Sequence, residues 1–149
     1  MDSLVEQLES LISKDNYEIT TLSNMSALIF YSLQDVSWAG FYLVKDGKLI
    51  LGPFQGKIAC TEIKFGKGVC GTTAEKKETI IVKNVHEFPG HIACDSESNS
   101  EIVVPIFKNG VLYGVLDLDS KKLERFDEND KLLLESLVKV LEKKLLDFK

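Results

Sequence analysis

The fold class this sequence predicts is α+β: an antiparallel sheet with helices from both ends of the chain laid over one face. Three observations carry it. Two pairs of β-rich runs flank Asp46-Gly47 and Asn109-Gly110, dipeptides that supply the positive φ of tight hairpin turns. Apolar residues recur at helical spacing in the first 33 residues and again from Leu134 to Phe148. The length, 149 residues, suits one domain with a continuous core. A single unit over 1–149 is therefore expected, with a helical segment at 1–35, the sheet and its loops at 36–126 and a terminal helix at 127–149.

Leu4, Leu8, Leu11 and Ile12, then Leu22, Met25, Leu28, Ile29 and Leu33, are interrupted around Lys14-Asp15-Asn16, which predicts two helices or one broken helix with a packing role. From Val36 the pattern turns to strand. Alternation puts Trp38, Gly40 and Tyr42 on one face of the first strand and Phe41 and Leu43 on the other. Two aromatic side chains thus share a wall with a small gap between them, which is either ordinary core or the lining of a pocket for a small apolar group. A helix from Val69 to about Lys77 and a short strand at Thr79 to Val82 follow. In the second hairpin, Pro105 donates no hydrogen bond, so its strand is expected at a sheet edge or bulged there. On the last strand Tyr113, Val115, Asp117 and Asp119 are predicted to share a face. Asp127 is placed as the N-cap of the final helix, with acids in its first turn.

The net charge of −5, with lysines scattered among acids, lacks the basic footprint of a nucleic-acid binder. The opening MDSLVEQLESL is charged throughout, unlike a secretory leader, and no run reaches the ~18 apolar residues of a membrane span. A cytoplasmic address is expected, with no nucleic acid or membrane as partner. In that compartment cysteines are kept reduced, so three of them raise the question of catalysis, redox cycling or metal binding.

Those cysteines, Cys60, Cys70 and Cys94, all lie in the loop-rich stretch from Gly56 to Glu101, as do both histidines. Gly66-Lys67-Gly68-Val69-Cys70-Gly71 spells GxGxxG, but it sits mid-chain among hairpins, and the position 20 beyond Gly71 is His91 rather than an acid, so a dinucleotide site is not expected. The glycines instead lead into a helix whose first turn holds Cys70, where backbone N–H groups could stabilise a thiolate or an anionic ligand. A Cys3His zinc set is conceivable, yet only His91 and Cys94 are closely spaced, so no metal and no cofactor are expected. Gly90, Asp95, Ser96, Ser98 and Asn99 make the Cys94 segment a polar loop with a partly accessible thiol. Glu101 begins one strand and Asp117 and Asp119 end the next, with a tight turn between, which brings all three acids to the same end of the sheet. Two aspartates on one face either repel or hold a cation between them, and an ammonium group on a ligand would serve.

These residues together resemble a known family. WAGFY at 38–42, GPFQGKIACTEI at 52–63, GKGVCGTTA at 66–74, FPGHIACD at 88–95, SEIVVPI at 100–106 and GVLDLDS at 114–120 are similar to the free methionine-(R)-sulfoxide reductases, a GAF-domain enzyme family. The resemblance implies a GAF fold of five or six antiparallel strands, with terminal helices on one face and a closed ligand cavity on the other. It implies reduction of free, not peptide-bound, methionine-(R)-sulfoxide, with electrons drawn from thioredoxin. By the same resemblance Cys94 matches the attacking cysteine and Cys60 and Cys70 the two that can resolve the oxidised intermediate. Trp38 and Tyr42 match the aromatic wall around the methyl-sulfur end. Glu101, Asp117 and Asp119 match the acidic set; the chemistry then expected has Glu101, directly or through a water, protonating the sulfoxide oxygen and the two aspartates holding the substrate ammonium. A homodimer through the terminal helices is permitted, not required. A sensory GAF module, or a thiol redox sensor without turnover, would use the same fold.

Overall fold

The structure is a computed structural model, which describes residues 2–91, 94 and 97–148. Two N-terminal helices, α1 (Asp2–Ile12) and α2 (Glu18–Ser32), precede the hairpin β1 (Trp38–Lys45) and β2 (Lys48–Gln55). A short β3 (Glu62–Lys64), the helix α3 (Gly68–Lys76), a short β4 (Ile80–Val82) and a single 3-10 turn at Val85–Glu87 make up the middle of the chain. The second hairpin, β5 (Ser100–Lys108) and β6 (Val111–Ser120), leads to α4 (Glu128–Leu145).

Both hairpins turn where the sequence puts them: Asp46 and Gly47 have φ of 53° and 76°, and Asn109 and Gly110 have 52° and 77°, the left-handed pair that matches strand twist. Among the described residues all ladders are antiparallel, and six strands run in the order β3-β2-β1-β6-β5-β4. The N-terminal periodicity resolves as two helices, not one broken one. Asp127 caps α4 by accepting from the Asp130 N–H, while the Asp130 carboxylate accepts from the Asp127 N–H. The terminal helix stops at Leu145, short of the chain end.

The sheet separates two apolar clusters. On one side α1, α2 and α4 pack Leu8, Met25, Ile29, Leu137 and Leu141 against Phe41, Ile102, Leu116 and Leu118. On the other, Trp38, Tyr42, Val103 and Val115 face α3 through Val69 and Cys70. One helical layer thus covers one face, and the opposite face is left to α3 and the loops. Ile102 is fully buried at the centre of the helix-side cluster. Ile102→Val removes one methylene there and is expected to cost about 1 kcal/mol, read as a lower urea midpoint with an unchanged slope.

Pro105 satisfies both readings of its strand. β4 pairs only with Glu101 to Val103, so β5 is the sheet edge from Val104 onward. The ladder also breaks one residue beyond Pro105, where Ile106 pairs with Gly114 but Phe107 pairs with Leu112. That break overturns one expectation. Tyr113 is the residue left over in the bulge, so the alternation loses phase and its ring packs with the helix-side cluster. It does not share the face of Val115, Asp117 and Asp119.

Candidate active site

The sheet end opposite the tight turn of the second hairpin carries the site. Registers bring its residues together: Trp38 lies across from Asp119 and Gly40 from Asp117 on the β1/β6 ladder, while Glu101 lies across from Asp119 and Val103 from Asp117 on β5/β6. Period 2 then turns Trp38, Tyr42, Glu101, Asp117 and Asp119 to the side away from the helical layer, where all five line one pocket of about 50 Å3. Cys70 and Cys94 line the same pocket.

The aromatic wall is real but has no open gap. Trp38 and Tyr42 have ring centroids 5.9 Å apart, and Phe54 of β2 stacks on Trp38 at 5.1 Å. A Cβ at Gly40 would collide with the Phe54 side chain, so the space left by glycine is filled from the neighbouring strand. Both polar tips of the wall reach the Cys60 segment. Trp38 Nε1–H donates to the Lys57 carbonyl at 3.1 Å and the Tyr42 hydroxyl to the Cys60 carbonyl at 2.9 Å.

Over this wall, Cys60 and Cys94 are joined in a disulfide with Cα atoms 5.4 Å apart. The two cysteine segments are also bridged by charge, since Glu97 Oε2 lies 2.7 Å from Lys57 Nζ and 3.2 Å from Lys121 Nζ. Cys94 is half-buried. Asp95 and Ser96, which the sequence reading used to argue for a polar loop, lie outside the described residues. Two of the thiols of the Cys3His set are bonded to each other, so that set is not assembled in this state.

Cys70 is a different kind of thiol. It is free, 4% exposed, and its Sγ–H donates to Glu101 Oε2 at 3.9 Å. Burial, then the charges of Asp117 and Glu101, push its pKa well up. Of the two uses expected for the N–H groups at this helix start, a thiolate or an anionic ligand, the thiolate is disfavoured in this state, because the loss of solvent and two carboxyl groups oppose it. Glu101 is held well above the usual carboxylate range by burial first and by Asp117 and Asp119 next. Burial also raises Asp117, but hydrogen bonds from Glu101 and Cys70 oppose that and favour its anion. The pair is thus polarised, with a proton-bearing Glu101 beside an Asp117 that accepts.

Two wall residues were not foreseen. Ser98, read as loop surface, is 5% exposed, lines the pocket and has a hydroxyl with no partner among the described residues. His91 also lines it, and burial followed by the nearby His86 lowers its pKa, keeping it neutral. His86 Nε2 lies 2.9 Å from Asn99 Oδ1, which makes that nitrogen the protonated one. No pattern in the sequence marks either wall residue, since both sit in irregular loop. Among the described residues no helix is long and apolar enough to cross a membrane.

The GAF domain family matches residues 20–142. The free methionine-R-sulfoxide reductase of Escherichia coli is 47% identical over 142 residues, 95% of this chain and 86% of that one. The structure of fRMsr of Staphylococcus aureus in its reduced form superposes with a TM-score of 0.94 at 53% identity, covering 97% of this chain and 94% of that one. The free methionine-R-sulfoxide reductase of Neisseria meningitidis, solved in complex with its substrate, gives a TM-score of 0.94 at 44% identity, covering 97% and 87%.

Proposed function

This chain belongs to the GAF-domain free methionine-R-sulfoxide reductases, and on that premise we propose that it reduces free L-methionine-(R)-S-oxide to L-methionine through Cys94. The single observation that carries the reading is the Cys60–Cys94 disulfide, closed over a pocket lined by aromatic and acidic side chains.

The steps follow from the groups in place. The Cys94 thiolate attacks the sulfoxide sulfur while Glu101, which burial keeps protonated, delivers a proton to the sulfoxide oxygen. The oxygen passes to Cys94 as a sulfenic acid and methionine leaves. The Cys60 thiol condenses with that sulfenic acid, releasing water and forming the disulfide. Cys60 suits this role better than Cys70, because Cys70 is a buried, protonated thiol hydrogen-bonded to an acid and so a poor nucleophile. A dithiol protein, thioredoxin in this proposal, then attacks the disulfide and restores both thiols. Such recharging belongs to a reducing compartment, hence a cytoplasmic address.

Trp38 and Tyr42 take the methyl-sulfur end, and Asp117 and Asp119 the ammonium. The disulfide-bonded state has no Cys94 thiolate to attack, so it is the spent form, and reduction must precede turnover. A cavity that closes over both termini of an amino acid excludes peptides. The chain works as one domain, and a homodimer through the terminal helices is compatible with it.

A thioredoxin-coupled assay following NADPH tests the reading. Turnover is expected with free (R)-sulfoxide and not with free (S)-sulfoxide or a blocked peptide sulfoxide. Equal activity on the peptide would sink the closed cavity, and no activity on any substrate would leave a sensory module. Cys60→Ser is expected to keep the first release of methionine while cutting steady-state turnover by at least about tenfold, because the sulfenic acid loses its partner. A pre-steady-state burst of methionine without linked peptides would be the signature.

A further inference from the structure

The geometry points to a second use of the pocket floor: Cys70, Glu101 and Asp117 form a binding site for a thiophilic divalent cation of the zinc class. The three offer one sulfur and two carboxylate oxygens, all within 4.8 Å of one another. Each residue is more than nine-tenths buried, at 4%, 7% and 4% exposure. A tetrahedral ion with a metal–sulfur arm of ~2.3 Å and metal–oxygen arms of ~2.0–2.2 Å sets sulfur and oxygen about 3.6 Å apart. Cys70 Sγ and Glu101 Oε2 are already at 3.9 Å, so closing on an ion asks for shifts of tenths of an ångström there.

A second observation is independent of the cluster's composition. The Asp117 Oδ1 atom is buried without a hydrogen-bond partner among the described residues, on a side chain that lines the pocket. A buried carboxylate oxygen left in this way calls for a cation or a donor from the cavity. Binding releases the Cys70 and Glu101 protons to solvent, and the resulting thiolate with two carboxylates and an open fourth position on the cavity side is a donor set that suits zinc better than magnesium or calcium, which take oxygen alone. The ligands come from three elements, α3, β5 and β6. Their backbones are held by helix and sheet ladders, so the site is pre-organised by the fold and not by a loop. An ion bound there occupies the position in which a substrate ammonium would meet Asp117, and so acts as an inhibitor, not a cofactor. The site itself stands whether or not the chain turns over a sulfoxide.

The Cys60–Cys94 disulfide makes the test clean, because it leaves Cys70 as the remaining thiol of three. Oxidised protein is titrated with Cd2+ in metal-free buffer, following heat and the ultraviolet sulfur-to-cadmium charge-transfer band together. One ion per chain is expected, with the band. Cys70→Ser removes the band and weakens binding at least about tenfold, and Asp117→Asn, which keeps the thiol, weakens it by about tenfold while the band remains. Zn2+ added afterwards displaces Cd2+ and bleaches the band. A band absent from oxidised wild type, a band that survives Cys70→Ser, unchanged affinity in Asp117→Asn, or failure of Zn2+ to displace Cd2+ would each overturn the assignment. None of these readouts involves turnover, so failure here is distinct from failure of the reductase reading.

Discussion

Cys94→Ser is expected to abolish turnover of free methionine-(R)-sulfoxide, a fall of at least about a thousandfold in kcat/KM. A serine hydroxyl is not ionised near neutral pH and cannot form a sulfenic acid, so both the attack and the oxygen transfer lose their agent. The fold should survive, because Cys94 is half-buried and in irregular structure, outside both apolar clusters. The check is the coupled assay beside a urea unfolding curve taken with both proteins reduced, so that loss of the Cys60–Cys94 link does not confuse stability with chemistry. A variant that keeps a tenth of the wild-type rate would remove Cys94 from the centre of the mechanism and promote the redox-sensor alternative.

Glu101→Gln is expected to lower kcat by about 10²–10⁴-fold. Glutamine keeps the shape and a hydrogen-bond donor but has no proton to give, so the sulfoxide oxygen would have to leave as an unprotonated, poorly stabilised group. The environment makes Glu101 the acid of the set. It is raised well above the usual carboxylate range by burial, Asp117 and Asp119; burial raises Asp117 too, but there hydrogen bonds from Glu101 and Cys70 pull the other way. Steady-state kinetics decide the role. A large fall in kcat supports proton delivery, and a change confined to KM would make Glu101 a binding group only.

Much of the fold was legible because short-range chemistry controls it. Asp46-Gly47 and Asn109-Gly110 can hardly be anything but hairpin turns. Once the turns are placed, alternation carries Trp38, Tyr42, Glu101, Asp117 and Asp119 to one face and one end of the sheet, as found. Alternation fails where a bulge intervenes, and Tyr113 is the cost of that failure: nothing local announces that Phe107 will pair with Leu112.

The chemistry was less legible. Spacing did not separate Cys60 from Cys70, because what distinguishes them is tertiary. Cys60 rides on a segment that the Trp38 and Tyr42 side chains hold over the cavity, whereas α3 buries Cys70 among acids. Ser98 was taken for surface for the same reason, since a polar residue in a polar loop gives no sign that the loop folds inward. The proposed division of labour among attacker, resolver and acid rests on family resemblance, with the burial and hydrogen bonding described above in its support.

The central claim is that one cysteine takes the oxygen and Cys60 closes the cycle. Reduced protein, freed of reductant, is mixed with one equivalent of free methionine-(R)-sulfoxide, quenched in acid with an alkylating agent and mapped by mass spectrometry. One methionine per chain, a linked pair of peptides holding Cys60 and Cys94, and an alkylated Cys70 are predicted. Absence of methionine, or a linkage that includes Cys70 while Cys60 remains free, would contradict the account.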